Sequence, residues 1–137
     1  MTVKKRLLFV CLGNACRSAM AEKIVNEDHG GRAAADSAGT HPALPHVSMD
    51  RPTVRAMSEI GVSIADHRPK SVDTVIGCFD AVINMSPLDN DALRARCPGL
   101  TAEAWIRWEV ADPRGQPENI YREVRDRLKE LIAAHLS

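Results

Sequence analysis

The hydrophobic pattern of this chain switches repeatedly between two periods. Leu7-Leu8-Phe9-Val10 is an unbroken apolar run after a basic start, the signature of a strand buried on both faces of a parallel sheet. Over residues 18–29 the spacing becomes helical, with Met20, Ile24 and Val25 on one face and His29-Gly30-Gly31 as the stop. A short strand is expected around Ala33 to Ser37. The segment Gly39 to Met49, with two prolines and two histidines, reads as a surface loop. Asp50 is placed to cap a helix that carries Pro52 near its start, Val54, Met57 and Ile60 as its apolar stripe, and Gly61 as its end. Residues 71–77 carry a faint pattern for another short helix. Phe79 to Met85 reads as a buried strand, Leu88 to Ala95 as a short helix and Trp105 to Val110 as the last strand. A long amphipathic helix over 117–136 closes the chain, with Ile120, Val124, Leu128, Leu131 and Ile132 on one face.

Strand and helix signals in alternation imply an α/β fold. The expectation is a single doubly wound domain over residues 1–137, a four-stranded parallel sheet with helices on both faces. Ligands of such sheets bind beyond the carboxyl ends of the strands. Cys11 and Asp112 are both expected just past strand ends, on one rim.

The segment CLGNACRS at 11–18 carries the chemistry. A loop between a strand and a helix N-terminus gathers several backbone N–H groups, and the helix dipole adds positive potential, so an anion such as phosphate fits there. The candidate cradle is Leu12, Gly13, Asn14, Ala15, Cys16 and Arg17. A cysteine at its base, Cys11, gains a nucleophilic thiolate from the same field. Arg17, six residues on, can grip two oxygens of a phosphoryl group with its planar fork. Ser18 can donate a hydrogen bond to the thiolate, and Asn14 suits an unusual backbone angle in a tight loop. A phosphoryl transfer also needs a proton donor for the leaving oxygen, and Asp112, in the chain's one Asp-Pro pair, is the candidate. Cys16 is either a small packing residue or a thiol that traps an oxidised Cys11 as a disulfide.

CLGNACRS followed by AMAE, then SAGT at 37–40, GVSIADH at 61–67, FDAVINM at 79–85 and ADP at 111–113, resembles the low-molecular-weight protein tyrosine phosphatase family, whose fold is shared with thioredoxin-coupled arsenate reductases. The resemblance implies a phosphotyrosine protein phosphatase I-like fold, Asp112 as general acid, and His67 of DHRPK bracing the loop asparagine. It favours the protective role for Cys16. In the reductases, positions matching Glu22, Ser37 and Asp66 help form a structural cation site. Those reductases also place a cysteine at the end of the third strand and a second one a short helix later. Met85-Ser86 stands at the first place, and Cys97 suits the second. Cys78 lies at the other end of the strand, about 20 Å away at ~3.3 Å per residue. Packing roles are expected for Cys78 and Cys97.

Composition narrows the partners. The 18 basic and 18 acidic residues cancel, which argues against nucleic acid, and the longest apolar run is too short to span a membrane. Four cysteines without a C-x2-C pair fit neither a zinc site nor a disulfide framework, so a cytoplasmic protein of free thiols is expected, needing no cofactor and no metal for its chemistry. The reading ranked first is a cysteine-dependent phosphomonoester hydrolase acting through a thiophosphate intermediate, on a phosphorylated protein or a small phosphate ester. The alternatives are an arsenate reductase drawing on an external thiol reductant, and a non-catalytic anion-binding regulatory module. No aromatic residue follows Asp112-Pro113, and none lies in Thr40 to Asp50, so strong phosphotyrosine selectivity is not expected. Arg114, with His41 and His46, would instead suit a second acidic group on the substrate.

Overall fold

The computed structural model describes residues 4–42 and 49–137. Four strands, β1 (Lys5–Cys11), β2 (Ala33–Gly39), β3 (Gly77–Asn84) and β4 (Leu100–Arg107), form one parallel sheet in the order β2-β1-β3-β4. The helices are α1 (Arg17–Asp28), α2 (Arg51–Ser58), α3 (Asn90–Arg96) and α4 (Glu118–His135), with one turn of 3-10 helix at Val72–Thr74. This is the expected α/β architecture.

The apolar run of β1 is divided between two cores, as alternation along a strand requires. Leu7 and Phe9 point into a cluster with Met20 and Ile24 of α1, Met57 of α2, and Val124, Leu128 and Ile132 of α4. Leu8 and Val10 point the other way, against Val72, Val75, Val82 and Leu93. Phe9, Leu8, Ile24 and Leu128 are fully enclosed. Burial of each such side chain stabilises the fold by about 1.5–3 kcal/mol. The chain leaves β1 toward β2 on one side and returns to β3 on the other. The carboxyl ends of β1 and β3 therefore flank the point where strand order reverses, where doubly wound sheets hold their ligands.

Several boundaries differ from expectation. The last strand is Leu100–Arg107 rather than Trp105–Val110. It is the sheet edge, paired only with β3 in the register Gly77↔Leu100 to Asn84↔Arg107, and its half-covered face leaves a broken apolar pattern. Asp112 consequently sits five residues beyond the strand, on a loop leading to α4, rather than just past its end. Of residues 71–77, only Val72–Thr74 form a helical turn, of 3-10 type, and Gly77 already belongs to β3. Helix α3 begins two residues later than expected because Asp89 caps it, accepting from Ala92 N at 2.8 Å. Asp50 does precede α2, yet its carboxylate makes no cap hydrogen bond and accepts from Tyr121 Oη at 2.8 Å instead. Among the described residues, no helix is long and apolar enough to cross a membrane.

Candidate active site

Cys11 is the last residue of β1, and Arg17 the first of α1, so five residues make the connection. Two features force its shape. Asn14 adopts φ 52°, a left-handed conformation that asparagine tolerates better than most residues. Gly39, the last residue of β2, lies directly beneath. A Cβ there would stand 2.7 Å from Leu12 O and 3.0 Å from Asn14 N, so only glycine fits. The loop is also stitched to its neighbour by Thr40 N donating to Cys11 O and His41 N donating to Leu12 O. Among the described residues, the N–H groups of residues 12–16 donate to no protein acceptor. Five uncommitted donors beside a helix N-terminus form an anion-binding surface.

Asn14 organises the side chains beneath the loop. Its Oδ1 accepts from Lys70 N at 3.0 Å, which orients the amide. Nδ2 then donates to Ser18 Oγ at 2.8 Å and to Ser37 Oγ at 2.9 Å. Ser37 Oγ in turn donates a hydrogen bond to Glu22 Oε1 at 2.7 Å. Ser18 is left with one hydrogen and one near partner, Cys11 Sγ at 3.0 Å. His67 braces the same loop, donating from Nε2 to Asn14 O at 2.9 Å. Asn14, Ser18, Ser37 and His67 are all buried, so each of these bonds lies in a low-dielectric setting where it is electrostatically strong.

Arg17 is buried, and its fork is already shaped by the backbone. Nη1 donates to Met85 O at 3.0 Å and to Val110 O at 3.1 Å. Nη2 faces Asp112 Oδ2 at 3.7 Å. Asp112 is two-fifths exposed, and its other oxygen accepts from Arg114 N at 3.1 Å, an Asx turn across Pro113. Cys11, Ser18, Arg17 and Asp112 are thus brought to one rim, and Leu12, Gly13, Ala15 and Cys16 line the same connection. The Met85 and Val110 carbonyls were not foreseen. Main-chain acceptors leave no trace in residue type, although both follow strand segments whose ends the fold places at this rim.

The remaining thiols are distributed differently. Burial pushes the Cys16 thiol up to about 12, with the Thr53 hydroxyl pulling the other way and the nearby Cys11 and Asp112 adding to the rise. Cys97 is buried in the core cluster of Leu8 and Val10, whereas Cys11 belongs to the cluster on the opposite face of the sheet. Burial raises its thiol as well. Cys78 is exposed rather than packed, accepting from Thr101 Oγ1 at 3.0 Å at the amino end of β3. Glu22 and Ser37 are tied into the Asn14 chain, while Asp66 lies 3.8 Å from Lys23 Nζ. Among the described residues no group of three His, Cys, Asp or Glu side chains could hold a metal ion. His46 lies outside the described residues.

Residues 6–137 match the model of the family described as low molecular weight phosphotyrosine protein phosphatase. The chain is 32% identical to "Arsenate reductase 1" of Staphylococcus epidermidis, over 94% of this chain and 93% of that protein. It is 29% identical to "Glutaredoxin arsenate reductase" of Synechocystis sp., covering 93% of each. Among solved structures, the low molecular weight protein tyrosine phosphatase from T. tengcongensis superposes with a TM-score of 0.76 at 28% identity, covering 95% of this chain and 96% of that one. With a family match spanning nearly its whole length, the chain is an enzyme that belongs to the low molecular weight phosphotyrosine protein phosphatase family.

Proposed function

We propose that the protein hydrolyses phosphate monoesters, with Cys11 as nucleophile. Cys11 Sγ attacks phosphorus, the ester oxygen leaves with the proton of Asp112, and a thiophosphate remains on the cysteine. Asp112, now a carboxylate, takes a proton from water as that water attacks phosphorus, and the thiolate departs. Amides of residues 12–16 and Arg17 carry the charge of the transferring group, the main catalytic demand of such a reaction. Ser18 stabilises the sulfur as it becomes an anion again. The observation that carries this reading is the approach of Asp112 Oδ2 to within 3.7 Å of Arg17 Nη2, which sets a carboxyl group beside the phosphate fork.

A second reading, arsenate reduction, is supported by the names of the curated relatives. Arsenate would bind the same loop, and a thiol must then attack the arsenylated Cys11. Met85 stands at the end of β3 and is a thioether, Cys97 lies across the sheet, and Cys78 is at its far end. That route would need an external thiol. Steady-state assays of phenyl phosphate hydrolysis beside arsenate reduction with thioredoxin, and with glutathione plus glutaredoxin, test the ranking. We expect phosphate release from the aryl ester and negligible thioredoxin-dependent reduction. Efficient arsenate turnover with thioredoxin, lost in Cys97→Ser, would reverse it.

A further inference from the structure

Arg114 has no role in the scheme above, yet its position is tightly specified. The Asx turn pins its backbone, with Asp112 Oδ1 accepting from Arg114 N at 3.1 Å. Pro113 before it is buried, and Gly115 after it takes φ +80°, which turns the chain away toward α4. The side chain crosses to the anion loop. A methyl group on Gly13 would stand 3.0 Å from Arg114 Nη2 and 3.9 Å from its Cζ. The guanidinium therefore rests on the one residue of the loop that has no side chain to repel it.

Among the described residues this guanidinium has no acid partner and no side-chain hydrogen bond. The acids nearest it in sequence are committed elsewhere. Asp112 Oδ2 faces Arg17, Glu109 pairs with Arg107 at 2.9 Å, and Glu118 pairs with Arg55. His41 sits on the same loop from the β2 side, through its N–H to Leu12 O, and is exposed. Residues 40–42, 86–89 and 109–117 contain no Phe, Tyr or Trp, so the described loops around the rim offer no aromatic wall for a phenyl ring. They offer a cation with an unused planar fork, which matches carboxylate or phosphate oxygens two at a time.

We propose that Arg114 is a specificity-determining residue that binds a second anionic group, carboxylate or phosphate, carried by the substrate close to the phosphoryl group. This rests on Cys11 being the nucleophile of a phosphomonoesterase. The preferred substrates are then phosphate esters that carry a further anionic group rather than simple aryl phosphates whose only charge is on the phosphoryl group. An exposed ion pair of this kind is screened by salt, so its effect is modest and declines as ionic strength rises.

The test compares phenyl phosphate with its ortho-, meta- and para-carboxylated forms, using the wild type, Arg114→Ala and Arg114→Glu. The wild type should favour at least one carboxylated ester by roughly five- to tenfold in kcat/KM, through KM, as expected for a partly exposed bidentate pair. Arg114→Ala should abolish that preference while changing phenyl phosphate turnover less than twofold, and Arg114→Glu should invert it. A phosphotyrosyl peptide with flanking Glu, against its Gln counterpart, tells a protein substrate from a small one, and a preference in either series supports the proposal. Equal loss on carboxylated and unsubstituted esters in Arg114→Ala would place Arg114 in the phosphate cradle and overturn it, as would a wild type without preference. Protection of Cys11 from iodoacetate by each ester reports binding independently of turnover. Esters that protect with the predicted Arg114 dependence but are not hydrolysed would contradict the hydrolase reading and leave the second-anion site standing.

Discussion

Ser18 Oγ lies 3.0 Å from Cys11 Sγ, and the residues behind it fix which way that hydrogen bond runs. Lys70 N donates to the Asn14 side-chain oxygen Oδ1, so Asn14 Nδ2 must give its two hydrogens to Ser18 and Ser37. Ser37 donates onward to Glu22, and Ser18 has only the sulfur left to donate to. Donation therefore runs outward from Asn14, through Ser37 to Glu22 on one side and through Ser18 on the other, and the second branch points a hydrogen at the Cys11 sulfur.

Removing its last link should therefore slow the cysteine. A hydrogen bond to a charged group is worth about 1.5–3 kcal/mol, so Ser18→Ala should reduce alkylation by iodoacetate and kcat roughly ten- to a hundredfold. Glu22→Gln should have a smaller effect in the same direction. Unchanged alkylation in Ser18→Ala would remove Ser18 from the role.

Arg17 couples the loop to two other segments through the Met85 and Val110 carbonyls. Arg17→Lys keeps the charge but cannot fork, and it strands at least one buried acceptor. We expect a stability loss of about 1–3 kcal/mol by denaturant unfolding. Inorganic phosphate should also protect Cys11 at least tenfold less well. Retained protection by phosphate would show that charge alone suffices.

Asp112→Asn should slow hydrolysis of a poor leaving group by roughly 10²–10⁴, the usual share of a general acid, and that of a good leaving group much less. An equal effect on both would assign Asp112 to positioning Arg17 rather than to proton transfer.

The parts of this picture visible in the sequence are those carried by residue type over short spans. Leu7 to Val10 announces a strand buried on both sides, and Cys11, Arg17 and Ser18 lie seven residues apart at most. Asn14 at φ 52° follows from its tolerance of the left-handed region. What the sequence conceals depends on long-range placement. Trp105 and Ile106 draw attention toward the end of β4, but pairing with β3 starts the strand at Leu100, and an edge strand has only one neighbour to mark it. Asp50 looks like a helix cap until Tyr121, 71 residues away, claims its carboxylate. Ser37 is 23 residues from Asn14, and nothing local says that the two meet.

Alkaline pH should weaken the fold through Cys16 and Tyr121. Burial holds the Cys16 thiol and the Tyr121 phenol, which ordinarily ionise at 9.0 and 10.0, up at about 12, and the hydrogen bond to Asp50 adds to the rise at Tyr121. The unfolded chain releases these protons first, so stability is full below the ordinary values and falls as pH climbs toward 12. Melting temperature should drop across that window, and Cys16→Ala with Tyr121→Phe should flatten the drop. An identical slope in the double variant would contradict the assignment.

The raised Cys16 pKa keeps that thiol neutral, so iodoacetate near neutrality should label Cys11 first. Peroxide should convert Cys11 to a sulfenic acid, which Cys16 condenses with, releasing water and forming a disulfide. Thiol reductant should restore activity in the wild type and fail to restore it fully in Cys16→Ala. A disulfide from Cys11 to Cys97 on peptide mapping would contradict the separation of these thiols by the sheet.

The phosphorylated cysteine is the intermediate on which the account depends, and it can be weighed. Wild type and Asp112→Asn, turning over an aryl phosphate and quenched in acid, should show the mass of one phosphoryl group on the peptide that contains Cys11. The fraction labelled should be higher in Asp112→Asn, where water is activated poorly, and Cys11→Ser should show neither label nor hydrolysis. Phosphate release that persists in Cys11→Ser, or a phosphoryl group found on any other residue, would contradict the mechanism.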